Sequence, residues 1–279
     1  MLGAGSVSMR FAAAGIAALV TLLPGSVGAH DYWIEPVFAD GASGATVSLR
    51  MLVGEALVST EERELQRDRT VRLDHVSASG VADLLAEAPD GARPLVEVRL
   101  TERGGHLIEV ERAFASIELP PDRFERYLRV EGLGHVVRER RRRGESDRPG
   151  RERYARCLSA LVRVDAEPDE VFAHDAGCRL AMLPEVDPSL LARGDRLRFR
   201  VRFDTAPLAD AVVDLYVRDR RGRVSHRRIR TDAEGRAGVR LPATGFAVLR
   251  TVTMVRSQVP DAADWESWWS SYSFQSIRP

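Results

Sequence analysis

The sequence contains no lysine and no asparagine, and all 41 of its basic residues are arginine. Without lysine there is no Schiff-base nucleophile and no P-loop phosphate ligand. Without asparagine there is no acceptor for N-linked glycosylation. Cysteine is limited to Cys157 and Cys178, and aromatic residues make up only 6% of the chain. Also missing are the Gly-x-Ser-x-Gly elbow of serine hydrolases, the His-Glu-x-x-His zinc helix, any Cys-x-x-Cys pair and the Gly-x-Gly-x-x-Gly dinucleotide loop. A glycosidase pair of carboxylates cannot be picked out of 41 acidic residues without geometry. These absences argue for a protein that is not an enzyme. Acidic and basic residues balance to a formal charge of zero, so no global field draws the chain to nucleic acid or to an anionic membrane.

What is present begins with an export signal. Arg10 precedes an apolar or small run from Phe11 to Leu23, followed by Pro24, Gly25 and small residues as far as Ala29. This pattern predicts a signal peptide over 1–29, cleaved before His30, because the run is short of the roughly 20 residues that span a bilayer. The mature product is then periplasmic or secreted, with no later segment of membrane-spanning length. In an oxidising compartment Cys157 and Cys178 most simply pair as a disulfide. Two buried free thiols, or a metal-thiolate role, are the alternatives.

The mature chain reads as mainly β. Thr46 to Val53, Pro94 to Leu100 and His106 to Val110 alternate or run apolar in short strand-like segments. Helical spacing of Phe124, Tyr127, Leu128 and Val130, and a second run from Arg151 to about Val164, predict a helical insertion over about 121–164. Its polar loop holds the arginine-rich stretch Arg138 to Arg143, read as a solvated, salt-bridged face. After Pro184 and Pro188, the alternation of Leu197, Phe199, Val201 and Phe203 with arginines opens a series of short strands with turn signals between them. That series predicts an immunoglobulin- or transthyretin-like β-sandwich. The expected organisation is a β-rich domain over 30–180 carrying the insertion, then a sandwich domain over 181–279.

The candidate chemistry rests on histidine. Cleavage before His30 would expose an α-amine and an imidazole on one residue, which together can chelate nickel, cobalt or copper near neutral pH. His106, after Gly104 and Gly105, is the first choice for a second imidazole. His75, His135, His174 and His226 lie in polar surroundings without paired spacing and read as solvated. The cluster Trp265, Trp268, Trp269, Tyr272 and Phe274 reads as core or interdomain filling, with a carbohydrate platform as the functional alternative.

Several segments together resemble a known group. They are Ala29 to Pro36, Ile117 to Pro120 with Phe124, Tyr127-Leu128 and Glu131 to Leu133, Gly144 to Tyr154, Thr231 to Arg236, and Asp264 to Trp268. This set is similar to domain-of-unknown-function family 4198, whose members are periplasmic and are often described as components of cobalt or nickel uptake. The resemblance implies a periplasmic metal-binding component that passes its ion to an inner-membrane transporter, with His30 and His106 matching the family pattern. Members often carry His before the Met of the last long strand, where this chain has Thr253 before Met254. The alternative function is a non-enzymatic module that binds another envelope protein or a glycan. A copper oxidase using the same terminus is a third reading.

Overall fold

Short β-branched and aromatic runs, punctuated by glycine and proline, favour strands over helices. The computed structural model describes residues 31–38, 46–165 and 167–276, and the expected signal peptide and His30 lie outside these. In chain order the strands are β1 (Asp31–Phe38), β2 (Thr46–Glu55), β3 (Val58–Arg63), β4 (Thr70–Ser77), β5 (Gly80–Asp83), β6 (Val96–Arg99) and β7 (Gly105–Leu119). Two helices follow, α1 (Pro121–Val130) and α2 (Gly134–Arg142). The chain then forms β8 (Gly150–Arg163), β9 (Leu180–Pro184), β10 (Arg196–Phe203), β11 (Ala206–Pro207), β12 (Val212–Asp219), β13 (Val224–Arg230), β14 (Arg236–Arg240), β15 (Gly245–Arg256) and β16 (Trp265–Gln275).

The described strands form three sheets, and the fold is mainly β and sandwich-like. A central eight-stranded sheet has the order β13-β12-β15-β16-β8-β7-β4-β5. All its pairings are antiparallel except β16 with β8, which is parallel. On one face, Ile34, Val47, Leu49 and Met51 of the β1-β2-β3-β6 sheet pack against Leu73, Ile108, Val110, Leu158 and Val162. On the other face, Leu180, Met182, Leu197, Phe199 and Val201 of the β9-β10-β11-β14 sheet pack against Val213, Leu215, Leu249, Tyr272 and Phe274. The central ladder runs across residue 180, because β8 from one side of that position pairs directly with β16 from the other.

One expected element is corrected. The run Arg151 to Val164 is not a helix but β8, the strand that joins the two halves of the central sheet. Both faces of β8 are covered, with Leu158, Ala160 and Val162 inward on one side and Leu161 on the other. A strand buried on both faces reads as a continuous apolar run, which periodicity alone does not separate from a buried helix. The arginine-rich stretch is likewise not a loop, because Arg138 to Arg142 belong to α2 and place three arginines in its last turn. There they complement the helix dipole, and Gly144 at φ +64° ends the helix. The two helices bury Phe124, Tyr127, Leu128, Val136 and Val137 against Val252, Met254, Trp265 and Trp269. Gly150 lets β8 start directly under the Phe124 ring, since a Cβ there would lie 2.2 Å from that ring. Among the described residues no helix is long and apolar enough to cross a membrane.

Candidate functional site

The first described residue, Asp31, enters a buried ion cluster. Its carboxylate lies 2.8 Å from Arg250 Nε, while Arg250 also meets Glu131 at 2.7 Å and Asp214 at 3.3 Å. Asp214 further accepts from Arg228 at 2.8 Å and lies 2.7 Å from His226 Nε2. Tyr216 stacks on His226 with ring centroids 4.6 Å apart. Burial lifts the Asp31 carboxyl to about 6 against the pull of Arg250. Burial also raises Glu131, whereas at Asp214 it is outweighed by Arg228, Arg250 and His226, which hold that carboxyl below its ordinary range. Three carboxylates thus face two guanidiniums at the head of β1. The cluster ties the chain that follows His30 to β12, β13, β15 and the turn after α1.

His106 is in a different environment. Its ring is buried, with Nδ1 2.9 Å from His75 Nε2 and Nε2 3.1 Å from the Glu102 carbonyl oxygen. The carbonyl fixes the Nε2 proton on His106, which leaves Nδ1 to accept from His75. Burial, then the neighbouring ring of His106, lower the His75 pKa. Strand register sets Arg250 and His106 three strands and four residues apart, roughly 20 Å across the sheet. No group of three histidine, cysteine, aspartate or glutamate side chains able to hold a metal occurs among the described residues. His106 therefore has no open nitrogen to offer an ion.

Of the other histidines, His135 and His226 are exposed, as the solvated reading expects, whereas His75 and His174 are half-buried, and all four have a polar neighbour. His75 stacks on His106, His135 Nε2 lies 2.9 Å from the Met254 carbonyl oxygen, and His174 Nε2 lies 3.6 Å from Glu109. The cysteines form the expected disulfide, Cys157–Cys178, with Cα atoms 6.4 Å apart. The aromatic cluster fills core: Trp265, Trp268, Trp269, Tyr272 and Phe274 are all buried.

A feature with no counterpart in the sequence reading lies where β1, β3, β7 and β8 meet. A cavity of about 120 Å³ is lined by Arg63, Arg69, Arg112 and Arg156 together with Gln66, Tyr32 and Tyr154. It opens beside a bulge in β7: Arg112 pairs with Arg156 and Ala115 with Tyr154, so two residues of β7 face the single Ala155 between them. Arg156 is stacked on Tyr32 at 4.0 Å and on Tyr154 at 4.4 Å. Arg112 donates to Thr70 Oγ1 at 2.9 Å and to Gln66 Oε1 at 2.7 Å. In a chain whose every cation is arginine, residue type alone gives no signal for such a convergence.

No curated protein matches the chain. Among solved structures, the chain is similar at 13% identity to one described as a tetra-tandem repeat in the extending region of a large adhesion protein. That match covers 89% of this chain and 50% of the other, with a TM-score of 0.21, so the chain spans about half the length of that structure. The family model described as domain of unknown function DUF4198 matches residues 27–255, from before the head of β1 to near the end of β15. The chain therefore belongs to the DUF4198 family.

Proposed function

We propose that the protein is a non-enzymatic binding component of the cell envelope whose cargo is a divalent transition-metal ion, nickel or cobalt, taken up at the head of β1 and passed to an inner-membrane transporter. The observation that supports this reading is the fixed position of Asp31. The residue after His30, Asp31, is held by Arg250 beside two further carboxylates, Glu131 and Asp214, with the half-exposed imidazole of His226 bonded to Asp214. An amine and an imidazole delivered there by His30 would meet excess negative charge and a second ring, conditions that favour a borderline cation. In this reading His226 is the partner of His30, since His106 would first have to give up its bond to His75.

Titration calorimetry of the exported form should show one nickel or cobalt ion bound with a Kd below about 100 μM, lost below about pH 6 as imidazoles protonate. One alanine added ahead of His30 should abolish binding, His226→Ala should weaken it, and His106→Ala should leave it intact. Absence of nickel, cobalt and copper binding sinks the reading. A second reading, a module that docks on another envelope protein, is favoured by the exposed side chains of Val71 and Phe114 beside the β7 bulge. Such a contact would survive the added alanine.

A further inference from the structure

We propose that the cavity beside the β7 bulge is a binding site for a phosphate group, held between Arg69, Arg112 and Arg156 with Tyr32 and Tyr154 as its walls. This site is separate from the metal reading and shares no residue with it. Among the described residues, Arg69, Arg112 and Arg156, all lining this cavity, make no ion pair with any carboxylate. Arg112 and Arg156 are also direct cross-strand partners, a register that places like charges opposite each other and is destabilising unless something compensates it. Arg63 adds an Nε that is buried without a hydrogen-bond partner, while its own terminal nitrogen reaches Glu61 at 3.0 Å.

The polar groups that surround these guanidiniums suit an oxyanion. Gln66 and Thr70 hold Arg112 in one orientation by accepting two of its protons, leaving its remaining N–H groups for another acceptor. Tyr32 and Tyr154 both lie against the Arg156 guanidinium, at 4.0 and 4.4 Å, and limit its orientation. No carboxylate lines the cavity to repel an anion. A volume of about 120 Å³ holds one compact tetrahedral group and little more. Several converging guanidiniums favour a dianion over a single carboxylate, because each fork gives parallel, charge-assisted bonds to oxygen. The Arg112 guanidinium is already harder to keep charged than usual, first because of burial and then because of Arg69. A dianion would reverse that strain.

The test uses the full mature chain at constant ionic strength, with inorganic phosphate, glycerol phosphate and succinate as probes in calorimetry and thermal melts. Inorganic phosphate should bind and raise the Tm with concentration. Arg69→Gln and Arg156→Gln should each weaken it by about tenfold or more. Glycerol phosphate binding as well as phosphate would support a phosphate carried on a larger molecule, and binding of the inorganic ion alone would support the free anion. Succinate binding as tightly as phosphate would overturn the assignment. So would an unchanged Tm at about 10 mM phosphate, or variants that bind phosphate as the parent does. Arg69 is exposed and bears on no core contact, so its variant remains interpretable if that of Arg156 folds poorly.

Discussion

Arg250 and Arg156 project from the same face of one sheet, yet their surroundings are opposite. Arg250 is buried and ringed by Asp31, Glu131 and Asp214. Arg156 faces Arg112 across the strand pair and rests on tyrosine rings, with no carboxylate at ion-pair distance among the described residues. The first arrangement closes on itself and joins four distant segments of chain. The second presents charge to whatever can enter. Where the counter-charge is built into the protein, the arginine holds the fold together. Where it is not, the arginine is available for recognition.

The largest effect is expected at the closed cluster. Arg250→Met should cost about 3–5 kcal/mol, because three carboxylates would remain buried without their shared cation. Urea denaturation measures it, and a loss under about 1 kcal/mol would erase the distinction between the two clusters. The next effect sharpens the same contrast from the acidic side. Glu152 is buried with no guanidinium bonded to it, accepting instead from Tyr127 at 3.1 Å and from Ser267, and burial lifts its carboxyl to about 7. A carboxyl raised in the folded state binds its proton more tightly there than in the unfolded chain. Its contribution to stability is therefore complete below the ordinary glutamate value near 4.5 and is lost as pH rises through about 7. Glu152→Gln should leave stability nearly unchanged near pH 4.5 and raise it by up to about 3 kcal/mol at pH 8. Thermal melts at the two pH values check this, and equal shifts at both would show that its ionisation does not matter. The smallest effect belongs to the open cluster. Without any added anion, Arg156→Gln should change stability by less than about 1 kcal/mol, since lost ring stacking and relieved repulsion oppose each other. A loss of several kcal/mol in the same denaturation experiment would make that arginine a structural clamp.

Much of the fold was legible because alternation survives wherever one face of a strand meets solvent. The arginines of β10 alternate with Leu197, Phe199 and Val201, and the structure buries those three and exposes their neighbours. The same rule fails at β8, where covering both faces removes the alternation. The ion cluster left a faint trace: Asp214 stands in the apolar run of β12 and Arg250 in that of β15, and a charge inside such a run asks for a buried partner. Which partner is a matter of register between β12 and β15 and of how the sheet containing β1 packs on them, which composition does not encode. The His75–His106 pair and the arginine cavity left no trace. The two histidines are 31 residues apart, and the cavity gathers residues from four separate stretches of chain that meet only through strand pairing, sheet packing and a bulge.

The parallel seam between β8 and β16 has a consequence for how the molecule is made. Residues 265–275 sit between a ladder laid down early in the chain and one laid down late, and each half lacks its neighbour until they arrive. A sheet whose central pairing joins residues 150–163 to residues 265–275 cannot close until both are made, so its two halves stay unjoined while the chain between them is synthesised.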